Sequence, residues 1–248
     1  THERRQTIER VLAARLTSVA AVVEDTYDPH NAAAAIRTCE ALGLSSFHAV
    51  EPGARFSATK GITRGCHRWM TLHRWPTVRA AADHLRGRGF AVYATLPDAP
   101  ATVETVALDR PLALVFGNEH AGLSADAVDA CDGAVSIPMY GFSQSFNLSV
   151  SVAMTMSRLV ERRRQILGQL GDLTPDQAAQ VRARWYAMSV RAAVPLLARA
   201  VSAQTHSSVA NDPQSAPQHG TDGKTRDSGG GLQVASTLLA NVGREDQA

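Results

Sequence analysis

Three stretches of this chain hold residue types that do chemistry when they share a site. The first is His30-Asn31 with Arg37 a little further on. Arg37 stands in a largely apolar run, AAAAIRTCEAL, and a guanidinium there needs a carboxylate or a phosphate. It therefore serves either a structural salt bridge or a site that handles negative charge. Asn31 is either a plain helix cap or an amide at the helix mouth that orients a ligand. The second stretch is FGNEHAGLS, Phe116–Ser124, where two glycines flank an acid. Glycine permits tight turns and close approach of backbone to a ligand, and a simple strand-to-helix turn uses the same residues. The pattern is neither GxGxxG nor GxxxxGK[ST]. The third is IPMYGFSQSFNLSV, Ile137–Val150. A polar loop entering a helix at Ser145 and Asn147 either places N–H groups around a small ligand or only caps that helix.

The elements that must position these residues follow from periodicity. Residues 4–16 carry Ile8, Val11, Leu12 and Leu16 at helical spacing. VAAVVE, Val19–Glu24, is an apolar β-branched run that predicts a buried strand, ended by Asp28-Pro29-His30-Asn31. Asn31 is the expected N-cap of the following helix and Gly43 its stop. Further strands are expected at Phe47–Val50, Phe90–Thr95, Leu112–Gly117 and in AVSIP, which ends at Pro138. Ser124 caps a short helix, SADAVDA, and a helix of about 20 residues starts near Asn147. Alternating strands and helices predict an α/β fold, a mostly parallel sheet with helices on both faces. All three chemical stretches then fall at strand ends, where such sheets bind ligands.

Composition narrows the reading. Lys+Arg number 25 and Asp+Glu 23, so net charge does not announce a nucleic-acid binder. Distribution is more telling: between Pro52 and Phe90 there are eight Lys/Arg residues and one acid, Asp83. That segment either faces phosphates or is a set of solvated arginines. Cys39, Cys66 and Cys131 form no CxxC pair, so neither a disulfide framework nor a zinc site is expected. No apolar stretch spans a bilayer, and THERRQTIER has no signal-peptide core. The expectation is a soluble, cytoplasmic protein without a membrane partner. After about Val201 the chain turns polar and Gly/Ser/Pro-rich, which predicts disorder.

Taken in order, PHNAAAAIRTCEALG (29–43), LVFGNEHAGLS (114–124) and IPMYGFSQSFNLSVSVAM (137–154) resemble the SPOUT superfamily of knotted methyltransferases. Within it they are similar to the TrmH family of RNA ribose 2′-O-methyltransferases. The likeness covers about residues 1–165. It implies a C-terminal trefoil knot cradling S-adenosylmethionine, and a homodimer with the active site at its interface. The implied layout is an N-terminal helix (1–17), the methyltransferase domain (18–168), a helical extension (169–200) and a disordered tail (201–248).

The same likeness implies cofactor contacts at Thr95, Gly117, Ile137 and Phe146, mainly through backbone, with Glu119 in the same loop. Arg37 matches the family arginine that deprotonates or polarises the ribose hydroxyl. Arginine is a poor base at its normal pKa, so stabilisation of the developing alkoxide stands beside the base role. Asn31, Ser145 and Asn147 match residues that orient this arginine and the substrate. RNA contacts are expected from Arg55, Arg64 and Arg68. Arg163 keeps one of two family basic positions near the end of the long helix, while Glu161 occupies the other. Phe146 and Leu148 replace the usual Leu and Val. No metal is implied, because the sulfonium carries its own leaving group. The implied substrate is a guanosine ribose in the tRNA D-loop, position 18. Ribosomal RNA, or a non-catalytic RNA-binding role on the same scaffold, are the alternatives.

Overall fold

The computed structural model describes residues 1–26, 28–51 and 65–189. They fall into two compact units, Thr1–Thr174 and the residues from Pro175 onward. The first unit holds seven strands: β1 Val19–Glu24, β2 Ser46–Val50, β3 Thr71–Trp75, β4 Ala91–Thr95, β5 Ala101–Thr102, β6 Leu112–Phe116 and β7 Gly133–Ser136. Its helices are α1 His2–Ala13, α2 Pro29–Ala41, α3 Val78–Gly87, α4 Ala125–Asp129 and α5 Leu148–Leu167, with a 3₁₀ turn at Cys66–Trp69. In the second unit the described residues include one helix, α6 Pro175–Ser189. Residues 190–200 of the expected extension and the expected tail lie outside the described residues. So do Arg55 and Arg64.

The strands form one sheet in the order β3-β2-β1-β6-β4-β7-β5, and every pairing is parallel. A parallel sheet buries both faces, which is why β1 is apolar from Val19 to Val23. Val19, Ala21 and Val23 pack into a core with Ile36 of α2 and Met156 of α5. Ala20 and Val22 face the other way, into a core with Val78 and Leu85 of α3 and Ala127 of α4. β6 repeats this, with Leu112, Leu114 and Phe116 on the first side and Ala113 and Val115 on the second. The period of two thus feeds two cores, and the expected helices on both faces are present.

Three local features differ from the sequence reading. α2 is capped by Asp28, not Asn31: Asp28 Oδ1 accepts from the His30 N–H at 2.8 Å. Pro29 then occupies the first turn, where its missing N–H has no partner to lose. The helix starts earlier, and the Asn31 side chain is released from capping. Second, the basic segment contains β3 and α3. The α3 core positions Val78, Ala81, Ala82 and Leu85 have helical spacing but lie among arginines. Third, the first unit runs past residue 168. The Asp172 carboxylate accepts from Thr17 N, Thr17 Oγ1 and Ser18 N at 2.5, 2.8 and 3.1 Å, holding this segment against the start of β1.

A stack of rings lies where β2, β3 and α3 meet. The His48 and His73 centroids are 4.6 Å apart, and those of Trp75 and His84 are 4.8 Å apart. Trp75 Nε1 donates to His48 Nδ1 at 3.0 Å, so neutral His48 carries its proton on Nε2, toward Ser46 Oγ at 3.3 Å. Burial, reinforced by His73, His84 and Arg88, holds His48 down at about 3. Burial first, then His84 and Arg88, also lowers His73. Both rings are neutral in the fold, whereas in the unfolded chain they titrate near ~6.5. The linked stability is complete above that pH; the His48 share is lost as pH falls from there toward 3, and His73 adds in the same direction. The unfolding free energy is therefore expected to fall between about pH 7 and pH 5, by up to ~1.4 kcal/mol per pH unit for His48, and the thermal midpoint to fall with it. His48→Gln should flatten that dependence in circular dichroism melts. An unchanged pH slope in the variant would show that the stack is not its source.

Candidate active site

Because all pairings are parallel, β4, β6 and β7 end on the same edge of the sheet. The loops that follow them enclose a cavity of about 350 Å³. Thr95, Gly117, Glu119, Ile137, Ser145 and Phe146 all line it. Thr95 turns its hydroxyl to the Val115 carbonyl at 2.9 Å.

The loop after β6 is built on a steric constraint. A Cβ on Gly117 would lie 2.0 Å from the Gly122 carbonyl carbon and 2.2 Å from Leu123 N. Both are backbone atoms, so glycine is required. Asn118 N donates to Gly122 O, and Gly122 N returns a bond to Asn118 O, each at 3.1 Å. The Asn118 side chain accepts from His120 N and Ala121 N at 3.0 and 2.8 Å, closing an Asx turn. Ser124, which caps α4 as expected, is tied to the end of β1. Its N–H and hydroxyl donate to Glu24 at 2.9 and 2.6 Å. Sequence reasoning missed Asn118 and Glu24. An asparagine beside a glycine is a turn signal that was available for the first. Nothing local marks Glu24, whose partner lies 100 residues away.

The three chemical stretches meet in one directed line. Asn147 caps α5, its Oδ1 accepting from Ser149 N at 2.9 Å and Val150 N at 3.4 Å. Its amide NH₂ therefore faces outward and donates to Asn31 Oδ1 at 3.2 Å. That in turn commits the Asn31 NH₂, which donates to Glu119 Oε1 at 2.6 Å. Asn147 is thus both a cap and a member of the site, and the two amides donate in series, Asn147 to Asn31 and Asn31 to the Glu119 carboxylate. On the cavity's rim loop, Tyr140 and Phe142 are fully exposed.

Arg37 does not join this line. It is exposed on α2 and has no hydrogen bond or ion pair among the described residues. It lies six positions past Asn31, a rise of about 9 Å along the helix. The acid on its helix, Glu40, is paired with buried Arg15 at 2.5 Å. Arg68 is exposed on the 3₁₀ turn. Arg163, for which an RNA contact is expected, directs Nε to Ser18 Oγ and Nη1 to Leu108 O, both at 2.9 Å. Its neighbours do likewise: Arg162 donates to the Val103 and Val106 carbonyls, and Arg164 to those of Ala14, Leu42 and Leu170. The end of α5 lies beside carbonyls that no strand partner satisfies, and the arginines fill that need. Burial pushes the Cys39 thiol up and Cys131 to about 12, so neither is a ready thiolate. Among the described residues no cluster of His, Cys, Asp or Glu is arranged to hold a metal. No described helix is long and apolar enough to cross a membrane.

A cavity with a backbone floor at the carboxyl edge of a parallel sheet is the mark of an α/β protein that binds a small ligand. The comparisons make this specific. Residues 18–157 match the SpoU rRNA Methylase family, and the chain belongs to that family. It is 38% identical over 166 residues to a tRNA (guanosine(18)-2'-O)-methyltransferase of Borreliella burgdorferi, covering 66% of this chain and 76% of that one. It is 35% identical over 189 residues to the enzyme of the same name from Thermus thermophilus, covering 75% and 96%. Among solved structures, an Aquifex aeolicus TrmH/SpoU tRNA modifying enzyme superposes with a TM-score of 0.68 at 27% identity, covering 76% and 98%.

The Gly117 clearance yields a direct test. Gly117→Ala is expected to destabilise the first unit by about 3 kcal/mol, since backbone cannot yield as a side chain would. At Gly141, on the rim of the same cavity, a Cβ meets nothing within 4 Å. Gly141→Ala should melt within a degree or so of the parent, and equal losses in the two variants would contradict the steric reading.

Proposed function

We propose that the protein transfers the methyl group of S-adenosylmethionine to a ribose 2′-hydroxyl in tRNA, that of guanosine 18 in the D-loop. The observation that carries this reading is the line from Asn147 through Asn31 to Glu119 at the mouth of the cavity. It joins the three stretches on which the family likeness rests. The near full-length match to the Thermus enzyme supports tRNA over ribosomal RNA as substrate.

The cavity suits the cofactor. Its volume falls in the range of small-molecule sites, its floor at Gly117 admits no side chain, and Ile137 and Phe146 offer apolar flanks. Bound there, the sulfonium would supply both the methyl group and its own leaving group. The chain's task is alignment and charge. Asn31 and Asn147 hold Glu119 in one orientation beside the cavity, and Ser145 stands on the same rim. Arg37 stabilises the developing alkoxide, a role that suits a guanidinium better than proton abstraction does. Since Arg37 lies apart from the line within one chain, the reading includes a homodimer that brings one subunit's Arg37 to the other's cavity. It also includes a trefoil knot: α4 and α5 pack in opposite cores, and the 137–147 loop crosses between them. The enzyme works in the cytoplasm, where its substrate is.

Labelled S-adenosylmethionine and an unmodified tRNA transcript, followed by nuclease digestion and mass spectrometry, test this. The expected product is 2′-O-methylguanosine in the D-loop. Arg37→Ala should lower the rate by about 10²–10³ while the thermal shift with S-adenosylhomocysteine is retained. Methylation of a ribosomal RNA fragment alone would move the substrate, and absence of any thermal shift would leave a binding-only protein.

A further inference from the structure

The loop between β7 and α5 carries aromatic rings that the fold does not use. Aromatic residues make up 5% of the chain, yet Tyr140, Phe142 and Phe146 fall within one short stretch. Phe146 lines the cavity and is still partly exposed, while Tyr140 and Phe142 stand wholly in solvent. Large rings normally gain by burial, so two left in water on one loop mark a contact surface.

Three observations select what meets it. Residues 137–147 contain no charged side chain, so the loop offers a phosphate nothing to pair with. The other exposed large hydrophobic side chains among the described residues, Val150, Ile166 and Leu170, are aliphatic and lie on α5 or follow it directly. The rim set is aromatic throughout, and flat faces stack on flat faces. Finally, a Cβ on Gly141, between the two rings in sequence, would meet nothing within 4 Å, so a planar group can approach the backbone there. The chemistry of the acceptor points the same way. In a ribose, the carbon bearing the 2′-hydroxyl is bonded to the carbon bearing the base. A ribose that presents its 2′-oxygen to the cavity therefore brings its base to the rim. That base must leave its stacked neighbours, and a protein ring can replace the contact it loses.

We propose that Tyr140 and Phe142 form a stacking platform for the unstacked base of the methyl-accepting nucleotide. This inference rests on the RNA substrate proposed above. Stacking tolerates every base, so the platform positions the ribose and leaves the choice of base to other groups.

The test is a thermodynamic cycle with the full chain, S-adenosylhomocysteine and two tRNA transcripts, one intact and one abasic at the target nucleotide. The parent should bind the abasic transcript roughly tenfold more weakly or worse, the usual effect of losing one base–aromatic stack. Tyr140→Leu combined with Phe142→Leu should weaken binding of the intact transcript by about that factor, and narrow the gap between the transcripts by the same amount. Phe142→Trp keeps a flat face and should keep the gap. All variants should melt within a degree or so of the parent, as exposed positions do, and retain the thermal shift with S-adenosylhomocysteine. Equal weakening of both transcripts in the double variant overturns the platform, since the rings would then touch something other than the base. So does a parent dimer that becomes a monomer in the double variant, because the rings would then pack on a second copy. If the parent binds neither tRNA nor ribosomal RNA, the proposed function falls and the platform with it. If the parent methylates the intact transcript and the gap survives in the double variant, the platform falls alone.

Discussion

The site depends on the direction of a single amide. Asn147 Oδ1 is held by N–H groups at the start of α5, and those groups have no other partner within the helix. The need to satisfy them decides which way the Asn147 NH₂ points. That in turn decides the orientation of Asn31, and Asn31 decides which carboxylate oxygen of Glu119 is engaged. A helix-capping requirement, common to any helix, is thereby passed through two side chains to a carboxylate on another loop. Reversing either amide would set donor against donor or acceptor against acceptor. The orientation is fixed by chemistry rather than by packing.

The arginines divide by the partners available to them. At the end of α5 they meet carbonyls from the 103–108 loop and from the junctions around Ala14 and Leu42, and they are absorbed into the fold. Buried Arg15 is held by Glu40 at 2.5 Å, and loss of Glu40 would leave the buried guanidinium without its ion-pair partner, at a cost of about 3 kcal/mol. Arg37 and Arg68 meet no such acceptor among the described residues and remain exposed. Residue type alone did not separate these groups. Only the position of unpaired carbonyls did.

That division also explains what could be read from the sequence. β1, β6 and the start of α5 were legible because apolar runs and cap residues act within a few positions. The cavity-lining residues Thr95, Gly117, Glu119, Ile137, Ser145 and Phe146 were named from family likeness, and they converge on one cavity. The Asp28 cap was misassigned to Asn31, because Pro29 reads as a breaker unless its place in the first turn is known. β3 and α3 went unseen because an edge strand such as TLHRW needs no apolar run, and arginines interrupt the apolar stripe of α3. Glu24 and Arg163 were beyond local reasoning, since their partners lie far along the chain.

Gly117 has a consequence for how such a scaffold diversifies. Its missing side chain leaves backbone against backbone, so that part of the cavity floor looks the same whatever residues surround it. Mutation cannot remodel a surface that contains no side chain. Variation must act at the rim, where Tyr140 and Phe142 stand in solvent. A floor that cannot drift beneath a rim that can lets one ligand be retained while the molecule brought to it changes.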